Sequence, residues 1–278
     1  VTIWLDGALR DESEARVSVF DHGITVGDGI FETLKAVDGV PFALTRHLDR
    51  LATSARGLGL AEPAADEVRR AVAAVLADNP MPLGRLRITY TGGLAPLGSD
   101  RGQSAPTLVV ALSPTAPSPD TTAAITVPWT RNERSALAGL KSTSYAENVV
   151  ALSAARQQGA SEALFANTVG QLCEGTGSNV FLVIDGELHT PPLTSGCLPG
   201  ITRALVLEWV GAKETDLPLS ALDDAEEIFL TSTLRDVQAV HRLGPEGAGR
   251  TLTPAPGEVT HAAMRTFAQR AAADSDPR

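Results

Sequence analysis

The chain carries three lysines, at positions 35, 141 and 213, against twenty arginines, so an amine able to condense with a carbonyl must come from a short list. Lys213 follows the apolar run Ala204 to Val210, where a solvated cation near a helix C-terminus suits the helix dipole. Lys35 lies in an alternating segment ahead of the turn pair Asp38-Gly39, which reads as a strand with an exposed position. Lys141 stands in Gly139-Leu-Lys141-Ser-Thr-Ser-Tyr145, among small and hydroxylated neighbours and ahead of a helix predicted over 146–158. Desolvation there would favour the neutral amine and free it for Schiff-base chemistry. The plain alternative is a surface lysine at a helix start, since most lysines are exposed. Further along, Glu174-Gly-Thr-Gly-Ser-Asn-Val-Phe181 sets an acid in a turn-rich run.

No other residue set offers rival chemistry. Cys173 and Cys197 form no CxxC pair and no Cys/His cluster, which argues against a zinc site or a disulfide framework. His22, His47, His189, His241 and His261 are scattered and read as structural or solvent-facing. At 278 residues, with 43% hydrophobic and 20% charged residues, the chain has the composition of a soluble globular protein of one large or two modest domains. Its net charge of -10 opposes non-specific nucleic-acid binding. No apolar stretch approaches the roughly 18 residues that span a bilayer, and Asp6, Arg10, Asp11 and Glu12 do not fit a signal peptide. The expectation is a cytoplasmic protein with no membrane and no nucleic-acid partner.

Several elements must position these residues. Short strands are expected at 2–5 and 17–20, then turns through Asp21 to Gly29, a strand at 30–36 and a hairpin at Asp38-Gly39. Leu44, Leu48, Leu51, Ala55 and Leu58 recur at helical spacing, with His47, Asp49, Arg50 and Ser54 off the apolar stripe. Arg50 reads either as a solvated residue or as a phosphate clamp. A second helix over 65–77 precedes strands at 85–90 and 107–112, joined by a long loop rich in Gly, Pro and Ser that suits substrate recognition. Ser113 to Thr122 holds three prolines and marks the domain boundary, giving a first domain at 1–115, a linker at 116–122 and a second domain at 123–278. The second half reads as strands at 123–127, 163–166, 178–184, 187–190, 228–233 and 237–240. Helices are expected after Lys141, from Ile201, in a short acidic stretch behind Ser220, and at 257–271, followed by a frayed tail from Asp274. The helix start at Ile201-Thr202 and the hydroxyls of Thr231, Ser232 and Thr233 would suit an anion such as phosphate.

Taken in order, Gly27-Asp-Gly-Ile-Phe-Glu32, Lys141, the Glu174 to Phe181 run and Thr190-Pro-Pro-Leu-Thr-Ser-Gly-Cys-Leu-Pro-Gly-Ile-Thr-Arg203 resemble the class IV aminotransferase family over nearly the whole chain. That family is the fold-type IV group of pyridoxal-phosphate enzymes. It includes branched-chain and D-amino-acid aminotransferases, R-selective amine transaminases and aminodeoxychorismate lyase. The resemblance implies an α+β fold with a small N-terminal α/β domain and a larger, barrel-like mixed C-terminal domain with flanking helices.

It also implies roles. Lys141 would hold pyridoxal 5'-phosphate as a Schiff base and then shuttle a proton between the substrate Cα and the cofactor. Glu174 would pair with the ring nitrogen, keeping it protonated so that the ring can accept electrons. Arg50 of His47-Leu-Asp-Arg50, Ile201, Thr202 and Thr233, with Ser232, would hold the phosphate, and Ser178 and Asn179 belong to the cofactor-binding block. Tyr145 resembles a tyrosine that touches the cofactor's phenolate oxygen, at an offset from the lysine that differs by one residue. Phe31, Glu32 and Thr33 would line the substrate side. Arg101 is the only cation in Gly92-Gly-Leu-Ala-Pro-Leu-Gly-Ser-Asp-Arg-Gly102 and would receive a substrate carboxylate; that loop matches neither the Arg-x-His trap of D-amino-acid enzymes nor the Arg-Gly-Tyr of the lyases.

The first expectation is a transaminase moving an amino group between an amino acid or amine and a 2-keto acid. The second is a lyase that releases pyruvate and 4-aminobenzoate from aminodeoxychorismate, and the third a cofactor-binding homologue without turnover. The resemblance further implies a homodimer in which loops of the first domain reach the neighbour's site.

Overall fold

The computed structural model describes every residue from Val1 to Arg278. The chain divides into two units. The first gathers Val1–Ala116, Leu140–Ser144 and Asp274–Arg278, and the second Pro117–Gly139 and Tyr145–Ala273.

In the first unit the chain runs through β1 (Thr2–Leu5), β2 (Ala8–Asp11), α1 (His22–Thr25), β3 (Gly29–Val37), β4 (Val40–Pro41), α2 (Leu44–Leu58), α3 (Ala65–Asp78), β5 (Leu83–Thr91) and β6 (Thr107–Pro114). The strands form one antiparallel sheet in the order β2-β1-β6-β5-β3-β4. Alternation decides which face is covered. Ile30, Leu34, Leu86, Ile88, Val110 and Leu112 point to the side where α2 and α3 pack, and meet Leu48, Leu51, Ala55, Val68, Val72 and Val75. The hairpin at Asp38-Gly39 has both residues at positive φ, +48° and +80°, as a two-residue turn of right-handed twist demands.

Three expectations for this unit fail. Residues 17–20 join no ladder, and Val19 and Phe20 are exposed. The run after Asp21 is not all tight turns: Asp21 accepts the Gly23 N–H (2.8 Å) and caps the single-turn α1. The tail is not frayed. Helix α2 begins behind Ala43 with no cap from its own sequence, and the tail supplies one. Asp276 accepts from Thr45 N (2.8 Å) and Thr45 Oγ1 (2.6 Å), Ser275 O accepts the Ala43 N–H (2.7 Å), and Pro277 O accepts Arg46 Nε (3.0 Å).

The second unit contains β7 (Thr121–Arg131), α4 (Ala146–Gln157), β8 (Glu162–Asn167), β9 (Leu172–Gly175), β10 (Asn179–Ile184), β11 (Glu187–Thr190), α5 (Ile201–Trp209), β12 (Lys213–Glu214), α6 (Ala221–Asp224), β13 (Glu227–Ser232), β14 (Asp236–Leu243), β15 (Arg250–Thr251) and α7 (Glu258–Ala273). Its mixed sheet runs β12-β11-β10-β13-β14-β7-β8-β9 with β15 beside β14, parallel at β11–β12, β14–β7 and β7–β8. Strand β9 returns to touch β10, so the sheet curls into a half-barrel. Val180, Leu182, Ile228 and Leu230 cover one face under α6, while Phe181 and Phe229 stack on the other with centroids 4.8 Å apart. No helix is long and apolar enough to cross a membrane.

Candidate active site

Lys141 is placed by backbone pairing. The segment around it lies along the start of β3: Phe31 N–H donates to Lys141 O (2.9 Å), Thr143 N–H to Gly29 O (2.8 Å), and Ile30 bridges Ser142. Strand β4 is too short to cover that end of β3, so the edge is open for a later segment. From α2, Ser54 Oγ accepts the Lys141 N–H (3.2 Å). The side chain is half-buried, with Nζ 4.3 Å from the centre of the Phe31 ring.

Glu32 is next to Phe31 in sequence and on the opposite face of β3, because successive strand residues alternate. It is fully buried under α2 and does not line the substrate side, which corrects the expectation. Its Oε1 accepts Arg50 Nε (2.8 Å), and its Oε2 accepts both Arg50 Nη2 (2.7 Å) and His47 Nδ1 (2.7 Å). Burial alone would raise this carboxyl; the Arg50 charge and hydrogen bonds, with help from His47, outweigh it and hold the group at about 2. Burial pushes His47 below its ordinary value against the pull of Glu32, so it serves as a neutral donor. Thus His47, Arg50 and Ser54, all off the apolar stripe of α2, are buried, and the solvated reading of Arg50 falls. Arg50 is aimed by Glu32, which takes its Nε and Nη2 in a forked pair of hydrogen bonds.

On the other face of β3, Phe31 and Thr33 stand beside β5, where Thr33 pairs in register with Arg87. The Arg87 guanidinium lies over Phe31, Cζ 3.5 Å from the ring centre. One aromatic ring therefore carries both a guanidinium and the Lys141 amine. Sequence reasoning passed over Arg87, although the alternation Leu86, Ile88, Tyr90 already assigns it to this face.

Arg101 was expected to meet a substrate carboxylate, and its donors are committed elsewhere. Nε and Nη2 grip Asp28 (2.6 Å each), and Nη2 and Nη1 reach the carbonyls of Leu58 (2.6 Å) and Gly59 (2.7 Å) at the end of α2. Asp28 also meets His22 Nδ1 (2.7 Å), whose Nε2 faces Gly98 O (2.9 Å). The bond to Asp28 first, and then the Gly98 carbonyl, raise the His22 imidazole. This cluster ties the 92–105 loop to α2 and the start of β3.

In the second unit, Glu174 on β9 holds the Leu198 N–H with Oε2 (2.9 Å) and has Arg131 Nε 3.3 Å from Oε1. Tyr145 donates to Thr176 O (3.1 Å). Ser178 donates to the buried Glu162 (2.8 Å), and Asn179 donates to Leu198 O (2.9 Å); both shape the loops around the acid. Ser232 Oγ accepts the Arg235 N–H (3.4 Å) at the end of β13, where Thr233 follows. Cys173 and Cys197 are buried; burial raises the first and pushes the second up to about 11, so neither is a thiolate.

Helix α5 begins at Ile201 behind Gly200 with no side-chain cap. The first intrahelical bond is Ala204 N–H to Gly200 O (2.9 Å), so the N–H groups of Ile201, Thr202 and Arg203 precede it. A Cβ on Gly200 would lie 2.0 Å from Asn179 Oδ1, so only glycine fits this approach. Thr231, the register partner of Asn179, has a buried hydroxyl without a hydrogen bond. Bare helix N–H groups and an unsatisfied hydroxyl make a donor-rich cradle of the kind an anion fills.

Comparison with known proteins decides the family, since the model of class IV amino-transferases matches residues 29–243. The chain belongs to the class IV aminotransferases. It is 37% identical over 251 residues to a putative branched-chain-amino-acid aminotransferase of Methanocaldococcus jannaschii, covering 87% of each chain. It is 32% identical over 287 residues to a bifunctional aminodeoxychorismate lyase / D-amino acid transaminase of Mycobacterium tuberculosis, covering 90% of this chain and 94% of that one. The fold matches that of the branched-chain aminotransferase from Thermoproteus uzoniensis with a TM-score of 0.89 at 29% identity, over 96% of this chain and 93% of that one. A class IV aminotransferase is a pyridoxal-phosphate enzyme of fold type IV, so reaction class, cofactor and architecture follow from membership. Each unit holds groups whose chemistry suits that cofactor: the first an amine at Lys141, and the second helix-start N–H groups at Ile201 for a phosphate and an acid at Glu174 for a pyridine nitrogen.

Proposed function

We propose that this class IV aminotransferase exchanges amino groups between α-amino acids and 2-keto acids, with Lys141 as the catalytic amine. The observation that carries the reading is the Phe31 ring with Lys141 Nζ and the Arg87 guanidinium on it. A planar guanidinium receives a carboxylate through two parallel hydrogen bonds, which favours amino and keto acids over simple amines.

When bound, the cofactor supplies a carbonyl to condense with the amino donor and a protonated ring that withdraws electrons from its Cα. Lys141 Nζ would hold the cofactor and is the group that would take up and return the substrate's Cα proton. Phe31 packs beside that amine and excludes water from one side. Glu174, steadied by the Leu198 N–H at 2.9 Å, would keep the ring nitrogen protonated. Toward the phosphate, Arg50, fixed by Glu32, would supply charge, and the N–H groups of Ile201 and Thr202, with Ser232 and Thr233, would supply hydrogen bonds. Tyr145, whose O–H is held by Thr176 O (3.1 Å), would stand at the ring-oxygen side; burial and then the charge of Glu174 raise it, so it stays a neutral phenol.

A homodimer is part of the proposal. Residues 19–26 and 93–97 lie side by side, joined by His22 N–H to Gly93 O (2.8 Å) and Ala95 N–H to Phe20 O (3.2 Å). They expose Val19, Phe20, Ile24, Leu94 and Leu97, an apolar patch of the kind an interface covers.

A second reading stays open because of the bifunctional mycobacterial relative: release of pyruvate and 4-aminobenzoate from aminodeoxychorismate. Single amino donors added to the yellow enzyme separate the two. Bleaching of the yellow band with stoichiometric keto acid supports transamination, and pyruvate with 4-aminobenzoate from aminodeoxychorismate supports the lyase. No response to any amino acid or to aminodeoxychorismate would overturn both.

A further inference from the structure

We infer that Arg131 is a positioning residue that sets Glu174 and Tyr145 as one unit. The inference rests on the reading above, in which those two side chains hold the cofactor ring. Arg131 is the last residue of β7, beyond a register shift between Thr126 and Thr130 in the pairing with β8. Its guanidinium lies over Phe165, Cζ 4.1 Å from the ring centre, and Phe165 is the cross-strand partner of Glu174. The ring is a plate that lays the guanidinium beside the acid.

From that plate Arg131 reaches in two directions. Toward the acid, Nε is 3.3 Å from Glu174 Oε1 and, though buried, has no aligned hydrogen bond. Toward the phenol, Nη2 donates to Asn148 Oδ1 (2.6 Å), and Asn148 Nδ2 donates to Thr176 O (2.5 Å), the carbonyl that also accepts Tyr145 OH (3.1 Å). Nη1 is left to Glu147 at the surface (3.3 Å). One rigid fork thus links the acid to the turn that holds the phenol. Lysine, a single point charge on a flexible stem, can supply the cation and not both links.

The test uses Arg131→Met, Arg131→Lys and Asn148→Ala, with Glu174→Gln as control. Calorimetry measures the affinity of each apoenzyme for pyridoxamine phosphate, and steady-state kinetics follows each reloaded enzyme. Groups that orient a ligand-holding side chain are worth roughly 10–100-fold when removed. Arg131→Met is expected to weaken pyridoxamine phosphate by at least about 10-fold and to lower kcat while KM for the keto acid stays within about twofold. Arg131→Lys should recover part of both losses, and Asn148→Ala should weaken the affinity by a smaller factor. If Arg131→Met fails to fold, the lysine and Asn148 variants decide alone, and wild-type affinity in both overturns the inference. Wild-type affinity and kcat in Arg131→Met, while Glu174→Gln loses them, overturns it and spares the reading of Glu174. An unchanged Glu174→Gln overturns both.

Discussion

Replacing Glu32 by glutamine tests how Arg50 is held. The carboxylate takes three donors, Arg50 Nε and Nη2 and His47 Nδ1, at 2.7 to 2.8 Å in a fully buried position. Glutamine offers one oxygen and turns an NH2 toward a donor. Removing one partner of a buried ion pair costs about 3–5 kcal/mol. The carboxyl's displacement from 4.5 to about 2 corresponds to about 3 kcal/mol, the same order. Because the folded-state value is depressed, that stability is present above pH 4.5 and is lost as pH falls toward about 2. Urea unfolding at pH 7.5, followed by a signal from the first unit, should show Glu32→Gln destabilised by about 3 kcal/mol. Its cofactor affinity should also fall, because Arg50 loses its anchor. The double variant Glu32→Leu/Arg50→Met should recover much of the stability and none of the affinity, since an apolar pair of similar volume is often neutral. A cost below about 1 kcal/mol, or strict additivity in the double variant, would refute the reasoning.

Three further outcomes follow from other parts of the chain. Gly200→Ala places a Cβ 2.0 Å from Asn179 Oδ1 and should weaken pyridoxamine phosphate by about 10-fold or more in calorimetry, as a displaced supporting group does. Asp276→Ala removes the cap that the tail lends to α2 and should lower stability by about 1 kcal/mol in urea. His22 has two acceptors and a raised value, so its contribution is complete below the ordinary 6.5 and is lost as pH rises through the raised one. The 92–105 loop should therefore be cut faster by a protease at alkaline pH than at pH 6, and His22→Gln should flatten that dependence.

Most elements were legible because local pattern and packing agree. Alternation in 30–36 and 85–90, and the 3.6-residue spacing in α2, α3 and α7, name the core positions that the fold buries. Scarcity of lysine put Lys141 on a short list, and the resemblance to the family, rather than spacing, gave Lys141 and Glu174 their expected roles. What was missed is long-range. Glu32 was placed with Phe31 on the substrate side by the family resemblance, whereas a strand sends neighbours to opposite faces. Arg101 looked available because nothing local shows that Asp28 and the end of α2 converge on it. The tail looked frayed because its partner is the bare N-terminus of a helix 231 residues away. Residues 17–20 have strand-like composition, but lack a neighbouring strand.

The most direct measurement is borohydride reduction of the yellow protein, followed by peptide mapping. The account predicts loss of the yellow band and a single pyridoxyl-modified residue, Lys141, absent from Lys141→Ala. A label on Lys35 or Lys213, or a band that survives in Lys141→Ala, would contradict it.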